Sequence, residues 1–378
     1  MIDTLDVNTL PGMPAPFWFV QFFKVLGFVL HMVPMHLWFA GLILAAVMMR
    51  RKDDTPAVRW GKRLVSTMPI LIAFGVNFGI VPLLFIQVAY PWAFYPATIL
   101  TAWFWMAIIA LLIPAYYGVY AYAFGVRSEQ GPKTWQTVAG WIAALLFVVI
   151  GVLFANGWSL MASPASWKSL WLSHEIGGAA TGTAHFLTHP GVWARWLLMF
   201  GLALITTGAW TMIDAGIFAP KEDEAYRRWA PGFALKLAAV GFVWFAVAGS
   251  WYVFGTWPKE IASTMWSAPW IVFTILAAAT PILPLAVLIV RRGKPADAVG
   301  ALAVFGTQVV ALASNGIARQ IVQNLEIAPL AEVWKQQTAV QWSPLVAFLA
   351  AFVFGACVVA WLLRQVLTAA SAPAEEQA

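Results

Sequence analysis

The chain has 378 residues, of which 62% are apolar and 10% are charged, and its mean hydropathy is +0.78. This composition excludes a water-soluble globular protein, and the continuous apolar runs exclude the alternating pattern of a β-barrel. The net charge of +6 does not indicate a nucleic-acid partner, because the basic residues flank the apolar runs as membrane-topology signals do. The single cysteine, Cys357, excludes disulfides, thiolate metal sites and covalently attached c-type haem within this chain.

Apolar runs of about 20 residues recur along the chain, and each is long enough to cross a hydrocarbon core of about 30 Å as a helix. We therefore predict an all-α fold, a polytopic transmembrane helical bundle of about nine spans. The predicted spans are residues 17–49, 66–90, 98–124, 137–161, 191–216, 233–254, 267–290, 298–325 and 343–365. Residues 1–368 are predicted to form a single transmembrane domain, and residues 369–378 a short disordered tail.

Lys and Arg are concentrated in alternate connections between the predicted spans. These basic connections are residues 50–63, 127–133, 221–228 and 291–294. Because cytoplasmic connections carry the excess of Lys and Arg, we predict an outer N-terminus and a cytoplasmic C-terminus in a bacterial cytoplasmic (inner) membrane. The longest outer connection, residues 163–190, contains His174, His185 and His189. Its segment GGAATGT predicts a pliable surface loop that could cover a site.

Polar side chains are rare within the spans, where each is costly to insert and invites a functional explanation. The predicted topology places most of them in the outer half of the membrane. They are Lys24, His31, Gln87, Asn156, Ser159, Arg195, Asn315, Arg319, Gln320, Gln323 and Asn324. For Lys24 and Arg195, snorkelling to the interface is an equal alternative to a binding role. Arg319 is accompanied by several amide side chains in SNGIARQIVQN, which favours a binding site there.

Two histidines lie in the segment HMVPMH of the first span. His31 and His36 are separated by a helical rotation of about 140° and a rise of about 7.5 Å, so they point to different faces. Pro34 between them can distort the helix. A neutral imidazole can ligate haem iron or form an interhelical hydrogen bond. We favour the ligand role for His31 and the packing role for His36.

The order of these features resembles subunit I of cytochrome bd quinol oxidase over nearly the whole chain. His31 matches the position of that family's high-spin haem ligand in span one. NFGIVPLLFIQVAYPWAFYPATI, ANGWSLMASPASW and HPGVWARWLLMFGLALITTGAW are similar to the family's second span, the end of its fourth and the start of its fifth. NGIARQIVQNLE occupies the place of the family's G-R-Q-P-W segment, and Arg319 and Gln320 match the Arg and the Gln of that segment. The resemblance implies haem b at His31 and a quinol site.

The chain also departs from that family. Leu198 stands where the family has the axial histidine of its low-spin haem, and the Arg and Met of span seven are missing apart from Met265 at its edge. The glutamates of spans two and three have no acidic counterpart, and the long loop after span six is reduced to GTWPKEIAST. Oxygen reduction needs protons delivered to the oxygen site, so we expect a relative that keeps the scaffold without reducing oxygen.

The expected function is that of a membrane subunit of a respiratory complex, exchanging electrons between membrane quinol and a periplasmic multihaem c-type cytochrome. A homologous membrane subunit is a further expected partner, besides the lipid bilayer. Haem b and quinol or quinone are the expected cofactors, and Arg319 and Gln320 would bind a quinone oxygen or a haem propionate. The other predicted cofactor-binding residues are His31, Gln87, Asn156, Lys24, Arg195, His185 and His189.

Two alternatives to electron transfer stay open. One is a cofactor-free membrane anchor for an extracytoplasmic redox enzyme. The other is a small-molecule transporter, which predicts a polar path through both halves of the membrane and internal inverted repeats. The sequence shows little polarity in the inner half beyond Asp214, which disfavours the transporter.

Overall fold

The computed structural model describes residues 12–51, 53–219 and 223–371. It confirms the predicted all-α polytopic bundle. In the described part of the chain, eight helices are long and apolar enough to cross a membrane, and a bent helix pair is a candidate ninth span. Several predicted span boundaries differ from those of the helices.

The helices follow one another with short connections. In chain order they are α1 (Phe17–His36), α2 (Leu42–Met48), α3 (Pro56–Ala89), α4 (Pro91–Leu100), α5 (Ala102–Arg127), α6 (Thr134–Met161), α7 (Trp167–Ser173), α8 (Pro190–Ile213), α9 (Glu224–Ser250), α10 (Lys259–Met265), α11 (Ile271–Ala279), α12 (Ile282–Val290), α13 (Ala298–Ile327) and α14 (Trp342–Ser371). Short π-helical segments extend three of the spans, at Leu37–Gly41 between α1 and α2, Asp214–Phe218 after α8 and Trp251–Thr256 after α9.

Polar caps explain why two spans begin earlier than predicted. Thr55 Oγ1 accepts from the Val58 amide at the start of α3, and a carboxylate oxygen of Asp223 accepts from the Tyr226 amide at the start of α9. Side-chain oxygens at these positions satisfy amide groups that have no partner within the helix. The predicted starts, residues 66 and 233, were the first residues of the apolar runs. The helices begin about ten residues earlier, inside the polar connections.

The predicted seventh span, residues 267–290, is two helices bent by 40° between α11 and α12. Pro281 stands at the break, where its missing N–H group and its ring disfavour a continuous helix. Both halves pack against α13. Asn315 Nδ2 on α13 donates to the Ala277 carbonyl over 3.0 Å, which satisfies one of the carbonyl groups at the end of α11.

The spans define two ends of the bundle. We call the end with the connections 49–55, 128–133, 219–223 and 291–297 the basic end, and the end with the connection 162–189 the loop end. Met13 lies at the loop end, where its amide donates to the Gln337 carbonyl over 2.7 Å. This pairs the segment before α1 with the α13–α14 connection, as the predicted topology requires. Residues 369–371 of the predicted tail are helical, and residues 372–378 lie outside the described part.

The core is centred on α8, which packs against α1, α6, α9 and α13. Small residues allow a close contact between α8 and α9. A Cβ atom at Gly201 would lie 2.7 Å from the Phe245 amide nitrogen, and one at Gly241 would lie 2.7 Å from the Gly201 carbonyl oxygen. Close backbone approach through small residues is a usual means of packing helices in lipid.

The connection at the loop end, where a pliable surface loop was predicted, includes short regular elements. It contains α7 and a hairpin of β1 (Glu175–Ile176) and β2 (Ala179–Ala180). Gly177 and Gly178 form its turn with φ values of 60° and 81°, which glycine adopts without steric cost.

Candidate functional site

Buried polar side chains from α1, α13 and the α3–α4 junction meet near the loop end. We call Lys24, Tyr90, Gln320, Gln323 and Asn324 the outer polar cluster. Lys24 is 2% exposed, and its Nζ donates to Gln323 Oε1 over 2.6 Å and lies 4.3 Å from the centre of the Tyr90 ring. The buried amine of Lys24 therefore bonds to an amide oxygen and lies against an aromatic face, and no carboxylate of the described residues is bonded to it.

The Tyr90 hydroxyl is the centre of this cluster. It lies 2.6 Å from Asn324 Oδ1 and 3.1 Å from Gln21 Oε1, and it accepts from Gln320 Nε2 over 3.0 Å. Gln320 Nε2 also donates to Asn324 Oδ1 over 2.9 Å. The cluster is largely satisfied internally, although Gln21 Nε2 is buried with no partner among the described atoms.

Arg195 on α8 forms an ion pair with Glu326 in the last turn of α13. The guanidinium carbon also lies 5.5 Å from the centre of the Tyr252 ring. Sequence analysis missed Glu326 because the predicted span ended at residue 325, whereas the helix continues to Ile327. This pair gives Arg195 a partner within the bundle, so the side chain does not merely snorkel to the interface.

Arg319 is half-buried, and its guanidinium lies 4.6 Å from the centre of the Phe28 ring. Among the described residues it forms no hydrogen bond or ion pair. It is close enough to Lys24 and Arg195 for electrostatic repulsion and to Glu326 for attraction. The described part of this region therefore has three basic side chains and one carboxylate, and because Glu326 pairs with Arg195, Arg319 is left with a surplus positive charge.

His31 Nδ1 lies 2.7 Å from the Gly75 carbonyl oxygen on α3. A carbonyl can only accept, so the proton is on Nδ1 and Nε2 keeps its lone pair. Gly79 makes room for the ring, since a Cβ atom there would lie 2.7 Å from Nδ1. Lys24 is seven residues before His31, which places the two on one face of α1 with a rise of about 10.5 Å between them.

His36 is fully buried and has a different environment. Its Nδ1 lies 2.9 Å from Thr206 Oγ1, which donates to the Leu202 carbonyl and accepts from Gln308 Nε2 over 2.8 Å. This is the interhelical packing role preferred for His36. Its Nε2 is buried with no partner among the described atoms.

The other predicted site residues lie on or near the connection at the loop end. Asn156 Oδ1 accepts from the Phe186 amide over 2.6 Å and so attaches the connection to α6. His185 is exposed, with its ring edge-on to Phe104. Gln87 is half-buried and has no side-chain hydrogen bond to any described residue. The structure does not bring these three side chains into the hydrogen bonds of the outer polar cluster.

His189 begins α8. Its Nδ1 accepts from the Gly191 amide over 3.1 Å, and its ring stacks on Phe186 at 4.6 Å between ring centres. Partial burial, together with the nearby Arg195, lowers the pKa of His189 below its ordinary value. The neutral ring thus caps a helix, and only Nε2 is free to bind a ligand.

At the basic end the structure adds a partly buried ion pair that sequence analysis did not predict. The Arg63 guanidinium donates to both Asp214 carboxylate oxygens over 2.8 Å, and the Tyr226 hydroxyl donates to one of them over 2.6 Å. Asp214 was noticed as an isolated carboxylate, but its partners lie on α3 and α9 and could not be identified from spacing. Bidentate pairing with an additional hydrogen bond is the usual arrangement for a structural ion pair.

No protein-family model matches the chain, and no curated protein matches it. The resemblance to the oxidase subunit therefore stays a prediction from sequence. Among the described residues, no group of three or more His, Cys, Asp and Glu side chains is arranged to hold a metal ion. A haem iron can be held by a single protein ligand, so this finding does not bear on His31.

Proposed function

We propose that this chain is the membrane subunit of a respiratory electron-transfer complex and that the region around Arg319 binds a quinol head group. The proposal extends to one haem b ligated by His31 and to electron exchange with a multihaem c-type cytochrome and a homologous membrane subunit. The membrane would be the bacterial cytoplasmic membrane. We expect no oxygen reduction.

The surplus positive charge near Arg319 carries the proposal. An uncompensated cation inside a membrane protein is costly, and such groups usually face a ligand, a cavity or a partner charge. A quinone oxygen accepts hydrogen bonds and gains negative charge on reduction. Arg319 offers a planar set of donors for such an oxygen, and Lys24 adds positive charge.

Oxidation of the quinol head group to quinone would release two protons and two electrons, and the electrons would pass to the cytochrome partner. The outer polar cluster is near the loop end, so protons released there have a short path to the adjacent aqueous side. Glu326 is the nearby carboxylate, but its ion pair with Arg195 assigns it a structural role first. The proposal therefore requires no proton path across the apolar thickness of the bundle.

The environment of His31 fits one axial haem ligand. The hydrogen bond from Nδ1 to Gly75 fixes the tautomer that leaves Nε2 available, as for most metal-ligating histidines. Lys24, on the same face of α1, could pair with a haem propionate, which leaves Arg319 for the quinol head group. A bound haem b would supply one-electron redox chemistry.

One observation favours the alternative of a cofactor-free anchor. Lys24, Tyr90, Gln320 and Asn324 are hydrogen-bonded to one another or to a neighbouring amide. A purely structural role, fixing the packing of α1 against α13, would be enough to explain such a network. The two functions differ in one testable respect, because an anchor carries no haem absorbance.

Reduced-minus-oxidised spectra of the purified full chain, with any co-purifying partners, test the proposal. We expect a b-type haem signal in the wild type that is lost in His31→Ala, while the variant remains inserted in the membrane. His36→Ala is the control and should keep the signal, because His36 bonds to Thr206 on another face. A wild type without haem absorbance would favour the anchor, and an unchanged signal in His31→Ala would refute the ligand assignment.

A further inference from the structure

A small pocket at the basic end has no role in the proposed function. Its volume is about 170 Å³, and it lies between the first turns of α9 and the connection from α12 to α13. The residues that line it include the basic Arg228, Arg292 and Lys294, which we call its rim, and the apolar Leu235 and Leu288. The pocket thus combines basic and apolar side chains.

Backbone and side-chain bonds hold this pocket in shape. The Ala296 amide donates to the Arg227 carbonyl over 2.8 Å, and the Arg227 guanidinium donates to the Ala296 carbonyl over 2.9 Å. Arg291 forms an ion pair with Asp297, the residue that caps α13. Arg227 and Arg291 therefore serve the structure of the connection, which is fixed against α9 before any ligand binds.

The basic side chains of the rim remain available to bind an anionic ligand. Arg292 and Lys294 are exposed and form no ion pair with any described residue. Arg228 pairs with Glu224, but these side chains are 66% and 67% exposed, and such a pair is easily rearranged in water. The rim therefore presents a net positive charge to an incoming anion.

The pocket lies where the bundle surface changes from apolar to polar. Ile289 and Val290, at the end of α12, are 55% and 79% exposed, as expected of side chains that face lipid tails. The basic connection follows immediately. Lys236 is exposed on α9, about 12 Å deeper along the helix than Arg228, and can extend toward the same interface.

We propose that this pocket binds the phosphate group of an anionic phospholipid, whose acyl chains lie along the neighbouring apolar surface that includes Ile289 and Val290. Basic pockets between transmembrane helices on the cytoplasmic side are suited to such head groups. A volume of about 170 Å³ is below the range of about 300–1,000 Å³ typical of small-molecule sites, so it fits a phosphate group better than a nucleotide. This inference is independent of haem, quinol and the loop end.

Lipid binding to the purified full chain in neutral detergent tests the proposal, measured by native mass spectrometry with added cardiolipin or phosphatidylcholine. The test variant is Arg292→Gln/Lys294→Gln. The control is Arg51→Gln/Lys62→Gln, which removes one Arg and one Lys from the basic end away from the pocket. A third arm adds millimolar inorganic phosphate to the wild type.

We expect the wild type to retain cardiolipin in preference to phosphatidylcholine. The pocket variant should bind cardiolipin about thirtyfold more weakly, since each of the two basic groups near the surface contributes about fivefold. The control variant should bind like the wild type, and phosphate should not compete. Equal binding by the pocket variant, or equal loss in the control, would overturn the proposal. Competition by phosphate would show a site for free anions instead.

Discussion

Lys24 and Gln323 are separated by 299 positions in the chain, yet the lysine Nζ donates to the glutamine Oε1 over 2.6 Å in the buried contact between α1 and α13. The bond places a basic side chain inside the bundle, where no carboxylate in the described part of the chain is bonded to it. It also joins the helix that carries His31 to the helix that carries Arg319. This contact is the structural link between the two parts of the proposed redox site.

Replacing Lys24 separates a binding role from a packing role. Lys24→Met removes the charge and keeps most of the side-chain volume, so we expect little change in thermal stability, because removing a buried charge offsets the lost hydrogen bond. Binding of a short-chain quinol analogue should weaken about tenfold or more, as for a lost charged hydrogen bond.

The matched control is Lys236→Met on the exposed side of α9, which should leave both quantities unchanged. Melting temperature in detergent and equilibrium binding of the analogue measure the two effects. A large loss of stability with unchanged binding would assign Lys24 to packing alone.

The ion pair of Arg195 with Glu326 makes a prediction about stability. Glu326→Gln leaves the guanidinium without its carboxylate, which should reduce the free energy of unfolding by about 3–5 kcal/mol. Arg195→Gln/Glu326→Gln should recover more than half of this loss, because both charges are then absent. A double-mutant cycle of unfolding free energies in detergent measures the coupling. Additive effects of the two substitutions would show that the pair is not coupled.

Sequence patterns predicted the fold well and the site only in part. Apolar length was enough to identify the membrane helices, because a span needs a continuous run of residues that lipid can solvate. The break at Pro281 was missed because the residues on both sides are equally apolar. The start of α3 was missed because Thr55 and Pro56, which begin the helix, lie in a polar connection.

Tyr90 shows why the site could be predicted only in part. Its position at the end of a span and beside Pro91 is typical of an interfacial aromatic residue. Its role as the centre of the outer polar cluster depends on Gln320 and Asn324, more than 200 positions away. Such pairings follow from which helices are neighbours, and helical periodicity within one span does not determine that.

His189 is expected to make the thermal stability of the protein depend on pH. The pKa of the folded histidine lies below its ordinary value of 6.5, so the unfolded chain binds the proton more tightly. The stability that the neutral cap contributes is therefore present above pH 6.5 and is lost as the pH falls through the lower pKa of the folded state. We expect thermal stability to decrease over that interval.

His189→Asn should remove this part of the pH dependence. Asparagine is an effective N-cap and has no titrating group in the same range, so the start of α8 is preserved. Melting temperatures of the wild type and the variant, measured from pH 7.5 downward, make the comparison. Parallel curves for the two proteins would contradict the assignment of the pH dependence to His189.

Anaerobic addition of a reduced short-chain quinol to the purified chain with its co-purifying partners tests the central claim most directly, with haem absorbance as the readout. The account predicts that the quinol reduces a b-type haem in the wild type. It predicts slower reduction in Arg319→Gln at unchanged haem content, because a donor and a charge at the head group are lost. A wild type that holds haem but is not reduced by quinol, or an Arg319→Gln variant that is reduced at the wild-type rate, would contradict it.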